Sequence, residues 1–237
     1  MRKTIVACTA AAFLIAVGSS IVRSEGLNLS WDDCGSFGVG NKAFSCDVND
    51  AALTLVASFV RDDPDSAYGA GGTLIFDAAP ALLPDWWKFP DNSPLSNPPG
   101  ACQDSGNLVH DPGEATSCEI PFVDDETVAS YGWSGGSGTM ATFNFTSFST
   151  STTEAFLTPG VEYAYLRLIL HPARTIGPEA CAGCNTPMTI TLTRAVLIRD
   201  SPNYQINDPA IRNVVTWDGL PTPVLPTTWG RIKRLYR

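Results

Sequence analysis

Apolar and polar residues alternate with period two along several stretches of this chain, and glycine and proline break the stretches apart. Alternation places one set of side chains on each face of a half-buried strand. The clearest run is Met188–Arg199, where Met188, Ile190 and Leu192 oppose Thr189, Thr191 and Thr193. Arg194 interrupts the apolar face, and Val196 and Ile198 are expected to resume it. A β-bulge near Arg194, or an edge position, would turn the charge outward. Strands are also expected at Leu53–Val60, Thr73–Asp77, Thr139–Phe148 and Tyr163–Leu170, with weaker ones at Leu27–Trp31 and Ile211–Trp217. In Tyr163–Leu170, Ala164, Leu166, Leu168 and Leu170 form one face against Tyr163, Tyr165 and Arg167. No long segment holds a 3.6-residue apolar period. Many short strands between turns indicate an all-β fold, an immunoglobulin-like or jelly-roll β-sandwich. Long disulfide-tied loops and a short C-terminal helix complete the expectation.

The first residues set the compartment. Arg2 and Lys3 precede the apolar run Thr4–Val17, and the small residues Gly18, Ser19 and Ser20 follow. That order of charge, apolar run and small residues marks a secretory signal peptide. The expected organisation is a signal peptide at 1–24, a β-sandwich domain at 25–200, and a C-terminal appendage at 201–237. The appendage holds a weak strand and a short basic helix, capped by threonine, with Trp229, Ile232 and Tyr236 on one side. A secreted, cell-surface or periplasmic location follows. Removing residues 1–24 takes away Arg2, Lys3 and Arg23 and no acid, so the net charge falls from −9 to −12. Such an acidic chain repels polynucleotides. No other segment is long and apolar enough to span a bilayer once the leader is gone. The sequence leaves the oligomeric state unread.

In an oxidising compartment cysteines are crosslinks first. Beyond Cys8 of the leader stand Cys34, Cys46, Cys102, Cys118, Cys181 and Cys184. Short loops close most readily in an unfolded chain. The expected pairing is therefore sequential: Cys34–Cys46, Cys102–Cys118 and Cys181–Cys184. Cys181-Ala182-Gly183-Cys184 has the spacing of a dithiol redox site. However, no helix follows to lower the thiol pKa, so a closed turn is the preferred reading.

Several segments resemble a group of uncharacterised secreted bacterial proteins. They are Leu27-Asn28-Leu29-Ser30-Trp31-Asp32-Asp33-Cys34, Leu83-Pro84-Asp85-Trp86-Trp87-Lys88-Phe89, Cys181-Ala182-Gly183-Cys184 and the end Thr228-Trp229-Gly230-Arg231-Ile232-Lys233-Arg234-Leu235-Tyr236-Arg237. Members often carry a further cysteine after the Cys-Ala-Gly-Cys element, where this chain has Met188-Thr189. The resemblance thus leaves the pairing of Cys181 and Cys184 open. It implies a bacterial origin and no established activity. It also implies that Asn28-Leu29-Ser30 and Asn144-Phe145-Thr146, which match the glycosylation pattern, stay unmodified.

Three groups of residues invite a functional reading. Trp86 and Trp87 would offer a flat ring to a sugar if one of them faced solvent, as alternation in an extended segment suggests. Asp62, Asp63 and Asp65, in a turn between strands, are the carboxylates best placed to hold calcium; no other cofactor is implied. His110 with Asp124 or Asp125 is the constellation that a secreted hydrolase would use. Ser134-Gly135-Gly136-Ser137-Gly138 reads as a turn feeding the next strand, because it lacks the strand–elbow–helix setting of a nucleophilic serine. The leading expectation is a non-enzymatic module contacting a cell-surface or matrix component. A carbohydrate-binding module, with a glycan as partner, is the alternative, and a hydrolase comes third.

Overall fold

The computed structural model describes residues 24–49, 53–78, 80–90, 101–103, 108–109, 116–122, 127–150, 153–170, 174–200 and 202–217. The expected signal peptide, the expected C-terminal helix, both histidines and Asp124–Glu126 lie outside them. Apart from one 3-10 turn at Asp85–Trp87, the regular structure among the described residues is all strand. Among the described residues no helix is long and apolar enough to cross a membrane.

Two sheets face each other. The smaller has the order β1 (Gly26–Trp31), β3 (Leu53–Val60), β10 (Glu162–Leu170), β6 (Leu108–Val109). The larger runs β2 (Asn41–Lys42), β13 (Val214–Trp217), β11 (Met188–Ile198), β5 (Gly69–Asp77), β8 (Met140–Ser149), β7 (Thr127–Gly135). β12 (Tyr204–Ile206) pairs with the second half of β11, and β13 with the first half. A small ladder joins β4 (Asp65–Ala67) to β9 (Ala155–Leu157). β12 and β13 make residues 204–217 part of the larger sheet, so the sandwich does not end at 200 as expected. Of Ser134–Gly138, expected as a turn, Ser134 and Gly135 end β7 and the residues from Gly136 on make the turn of the β7–β8 hairpin.

The core lies between the sheets. Leu29, Leu55, Ala57, Phe59, Leu166 and Leu168 point in from one side, and Leu74, Phe76, Phe143, Phe145, Ile190 and Leu192 from the other. Each is buried, and a buried leucine, isoleucine or phenylalanine contributes roughly 1.5–3 kcal/mol.

Two bulges change which residues are inside. In β11 the register shifts between Leu192 and Arg194, and Arg194 turns outward as expected. The extra residue also inverts the alternation. Ala195 and Leu197, not Val196 and Ile198, continue the core face behind Met188, Ile190 and Leu192. In β10 the register shifts between Ala164 and Leu166. Tyr163 and Tyr165 therefore share the core side with Leu166 and Leu168: Tyr163 lies 5.8 Å and Tyr165 5.5 Å from Phe59, centre to centre. Ala164 instead packs on the opposite face with Cys34 and Val56. A strict alternation reads these strands wrongly because one unpaired residue shifts the phase by one.

Tyr165 is buried with a hydroxyl that has no hydrogen-bond partner. Burial pushes its pKa above the ordinary 10.0. The unfolded chain releases this proton from about pH 10 upward while the folded chain keeps it, so stability is intact below that pH and falls above it. Tyr165→Phe should therefore leave neutral-pH stability unchanged, or raise it by about 1 kcal/mol, and soften the alkaline fall. Urea melts at neutral and alkaline pH check this; equal alkaline sensitivity in the variant counts against it.

Candidate functional site

The three disulfides differ from the sequential pairing at every bond. Cys34 joins Cys118, Cys46 joins Cys184 and Cys102 joins Cys181, with Cα–Cα distances of 6.1, 5.9 and 6.3 Å. Sequence separations of 84, 138 and 79 residues show why local closure misleads. Folding, not chain entropy, decides which thiols meet. Cys181 and Cys184 share one turn but each holds a different segment, so the pair is no dithiol site. In the loop-entropy model a bond closing so long a loop contributes about 4–5 kcal/mol on its own.

That turn sits on the Leu83–Phe89 segment. Trp86 N–H donates to the Ala182 carbonyl at 3.2 Å. A Cβ on Gly183, whose φ is +97°, would run into the Pro84 ring. Below it the tryptophans gather. Trp217 lies 5.9 Å from Trp31, 5.5 Å from Trp87 and 4.6 Å from Phe44, and it stacks on Trp86 at 6.3 Å. Trp217 Nε1 donates to the Cys184 carbonyl at 2.8 Å, Trp31 Nε1 to the Thr216 carbonyl at 3.0 Å, and Trp86 Nε1 to Thr175 Oγ1 at 2.9 Å. Trp86 and Trp87 are 1% and 0% exposed. Neither shows a ring face to a sugar, which corrects the expectation that one would. The segment is a 3-10 turn, not extended chain, so neighbouring side chains do not point to opposite sides.

The aspartates also have other partners. Asp65, its side chain 8% exposed, pairs with Arg199 at 2.8 Å and Arg61 at 3.3 Å. Arg61 also pairs with Glu25 and lies 3.9 Å over the Tyr204 ring. Asp62 accepts from the Glu25 N–H at 2.7 Å, and Asp63 faces solvent. The only cluster of potential metal ligands among the described residues is Cys34, Cys118 and Glu162. Its sulfurs are bonded to each other, so it offers no thiolate. Asp62, Asp63 and Asp65 are not brought together, and Asp65 is already neutralised by two arginines.

Glu162 is buried under the loop that the Cys34–Cys118 bond holds down. It accepts from Asn28 Nδ2 at 2.8 Å, Ser58 Oγ at 2.6 Å and Ser36 Oγ at 3.2 Å. Asn28 Oδ1 accepts the backbone N–H groups of Ile211 and Arg212. Burial lowers the Arg212 guanidinium from its ordinary pKa, and the Glu162 charge opposes that. This network is internally satisfied and fixes the cover; it leaves no acceptor open to a ligand.

The outer face of the larger sheet differs. A groove of about 310 Å³ crosses β8, β5 and β11. Its lining includes Gly71, Asn144, Thr146, Arg194, Val196, Ile198 and Asn203. Gly71 makes the floor: a Cβ there would sit 2.9 Å from the Phe145 carbonyl oxygen and 3.1 Å from Thr146 Oγ1. The bulge puts Arg194 on one wall, where Nε donates to Thr73 Oγ1 at 3.0 Å. The Thr73 hydroxyl in turn donates to Asn144 Oδ1 at 2.8 Å. Sequence reasoning singled out Arg194 as an interruption and Asn144 as part of a modification pattern. The readable signal for the groove was the small-residue run Gly69–Gly72 just before an outward threonine.

No protein-family model matches the chain, and no curated protein matches it. Among solved structures, the chain is similar to the sixth cohesin of Acetivibrio cellulolyticus scaffoldin B, determined in complex with a Cel5 dockerin mutant. Identity is 14%, the TM-score is 0.27, and the match covers 77% of this chain and 99% of that one. A likeness that loose carries no functional argument, so the geometry above must.

Replacing Cys46 and Cys184 together by serine should lower the Tm of the oxidised protein by about 10–15 °C. Calorimetry decides; a shift of only a degree or two would mean that the aromatic cluster holds the turn unaided. In the same assay, millimolar calcium should leave the wild-type Tm unchanged, and a rise would reinstate a site at the aspartates.

Proposed function

We propose that this protein is an exported, non-enzymatic binding domain whose contact surface is the groove on the outer face of the larger sheet. The observation that carries this reading is the lining itself. Gly71, Gly72, Asn144, Phe145, Thr146, Arg194, Val196, Ile198 and Asn203 include hydrogen-bond donors and apolar surface. They include no carboxylate, histidine or cysteine that takes up or gives a proton near neutral pH. Among its described residues such a groove has what holds a ligand but no acid, base or nucleophile to act on it. The crosslinks between distant segments support an oxidising destination, where small-molecule thiols do not reduce them. A cell-surface or matrix component is the partner that location supplies.

The test is retention of the secreted protein on cell-envelope and matrix fractions of the producing organism. Wild-type protein should bind saturably. Thr146→Trp, which fills the groove from an outward strand position that accepts an aromatic, should weaken binding about tenfold, roughly 1.4 kcal/mol. Its Tm should stay within about 2 °C of wild type, since outward substitutions change stability little. Undiminished retention by the filled variant, or turnover of the bound component, would remove the proposal.

A further inference from the structure

We infer that the groove reads an acidic sugar, with a uronic-acid carboxylate on Arg194; this rests on the binding reading above. Three side chains offer donors to the groove: Arg194 carries donors alone, and the acceptors of Asn144 and Asn203 are already engaged. Arg194 Nε is held by Thr73, which leaves the outer edge of the guanidinium for a ligand. Asn144 Oδ1 accepts from Thr73, so its amide N–H₂ faces the groove. Asn203 Oδ1 accepts the Arg199 N–H at 3.3 Å, so its amide too presents donors. Among the described residues no carboxylate pairs with Arg194, whereas Arg61 and Arg199 are both matched to acids. A guanidinium with a free edge binds a planar carboxylate through two parallel hydrogen bonds. Elsewhere on an acidic chain this would be an unfavourable place for an anion, which makes the donor-only wall the more specific.

The other wall selects between a sugar and a peptide. Val196 and Ile198 offer half-buried apolar surface, suited to the C–H face of a ring. The floor offers nothing to a peptide backbone. β5 is an interior strand, and its N–H and C=O groups are paired with β8 and β11 along the groove. A peptide laid across it would leave its own backbone groups unmatched. A sugar asks for side-chain amides and hydroxyls, and Asn144, Asn203 and Thr146 supply them.

The experiment is calorimetric titration of the secreted, oxidised protein with oligogalacturonate, oligoalginate, methyl-esterified oligogalacturonate and an oligoglutamate of matched length. One of the two free uronates should bind about tenfold tighter than the ester and the peptide, the advantage expected of one charge-assisted contact. Arg194→Gln should erase that preference while keeping the wild-type Tm. Asn144→Ala should weaken uronate binding should Arg194→Gln fold poorly. Equal affinity for ester and acid, equal affinity for oligoglutamate, or uronate binding untouched by Arg194→Gln, Asn144→Ala and Thr146→Trp would each overturn the inference. If neither uronate binds while envelope retention still depends on Thr146, this inference falls and the binding reading stands; if retention fails as well, both fall.

Discussion

Cys181 and Cys184 stand in a single turn, and each reaches across the molecule for a different segment. Cys184 draws in the 41–49 region, and Cys181 draws in the proline-rich stretch through Cys102. The turn rests on Pro84, and its carbonyls accept from Trp86 and Trp217. Loops, the last strand of the larger sheet and the aromatic end of the core therefore meet at one place. Tryptophans of this size, buried and with the Trp31, Trp86 and Trp217 N–H groups bonded, anchor irregular chain that has no regular ladder of its own.

Much of the strand content was legible, and the reason is simple periodicity. Leu53–Val60 appears with the bounds its alternation suggested, and Thr139–Phe148 and Met188–Arg199 differ by a residue at the ends. Glycine hid half of β5, since Gly69, Gly71 and Gly72 carry no side chain and Ala70 only a methyl from which to read a face. The bulge beside Arg194 was signalled by the charge, though not the phase shift it imposes, and the one at Tyr165 was harder. Nothing at Tyr165 breaks the pattern, because a tyrosine is acceptable on either face; only the register with β3 reveals the shift. Disulfide partners were beyond reach for another reason. Pairing depends on which loops the two sheets bring to one end, and that is a property of topology.

Polar groups in this fold divide into those already engaged and those left open. Glu162 with Asn28 and Ser58, and Asp65 with two arginines, are matched internally and fix the covers over the smaller sheet and the sandwich end. Arg194, Asn144 and Asn203 have only their inner atoms engaged. The candidate site was not legible as a motif because its members come from three separate stretches. They are aligned only when β8, β5 and β11 lie side by side.

The crossed order of the sulfur bonds has a consequence for biosynthesis. On the export route proposed above the chain would leave the membrane amino end first, so that Cys34 would meet Cys46 long before Cys118 had emerged, and Cys102 would meet Cys118 before Cys181 had. Oxidation on first encounter would lock in wrong neighbours. Reaching the native arrangement thus calls for a compartment where bonds are reshuffled as well as made, and a host that only oxidises would secrete this protein in tangled isomers.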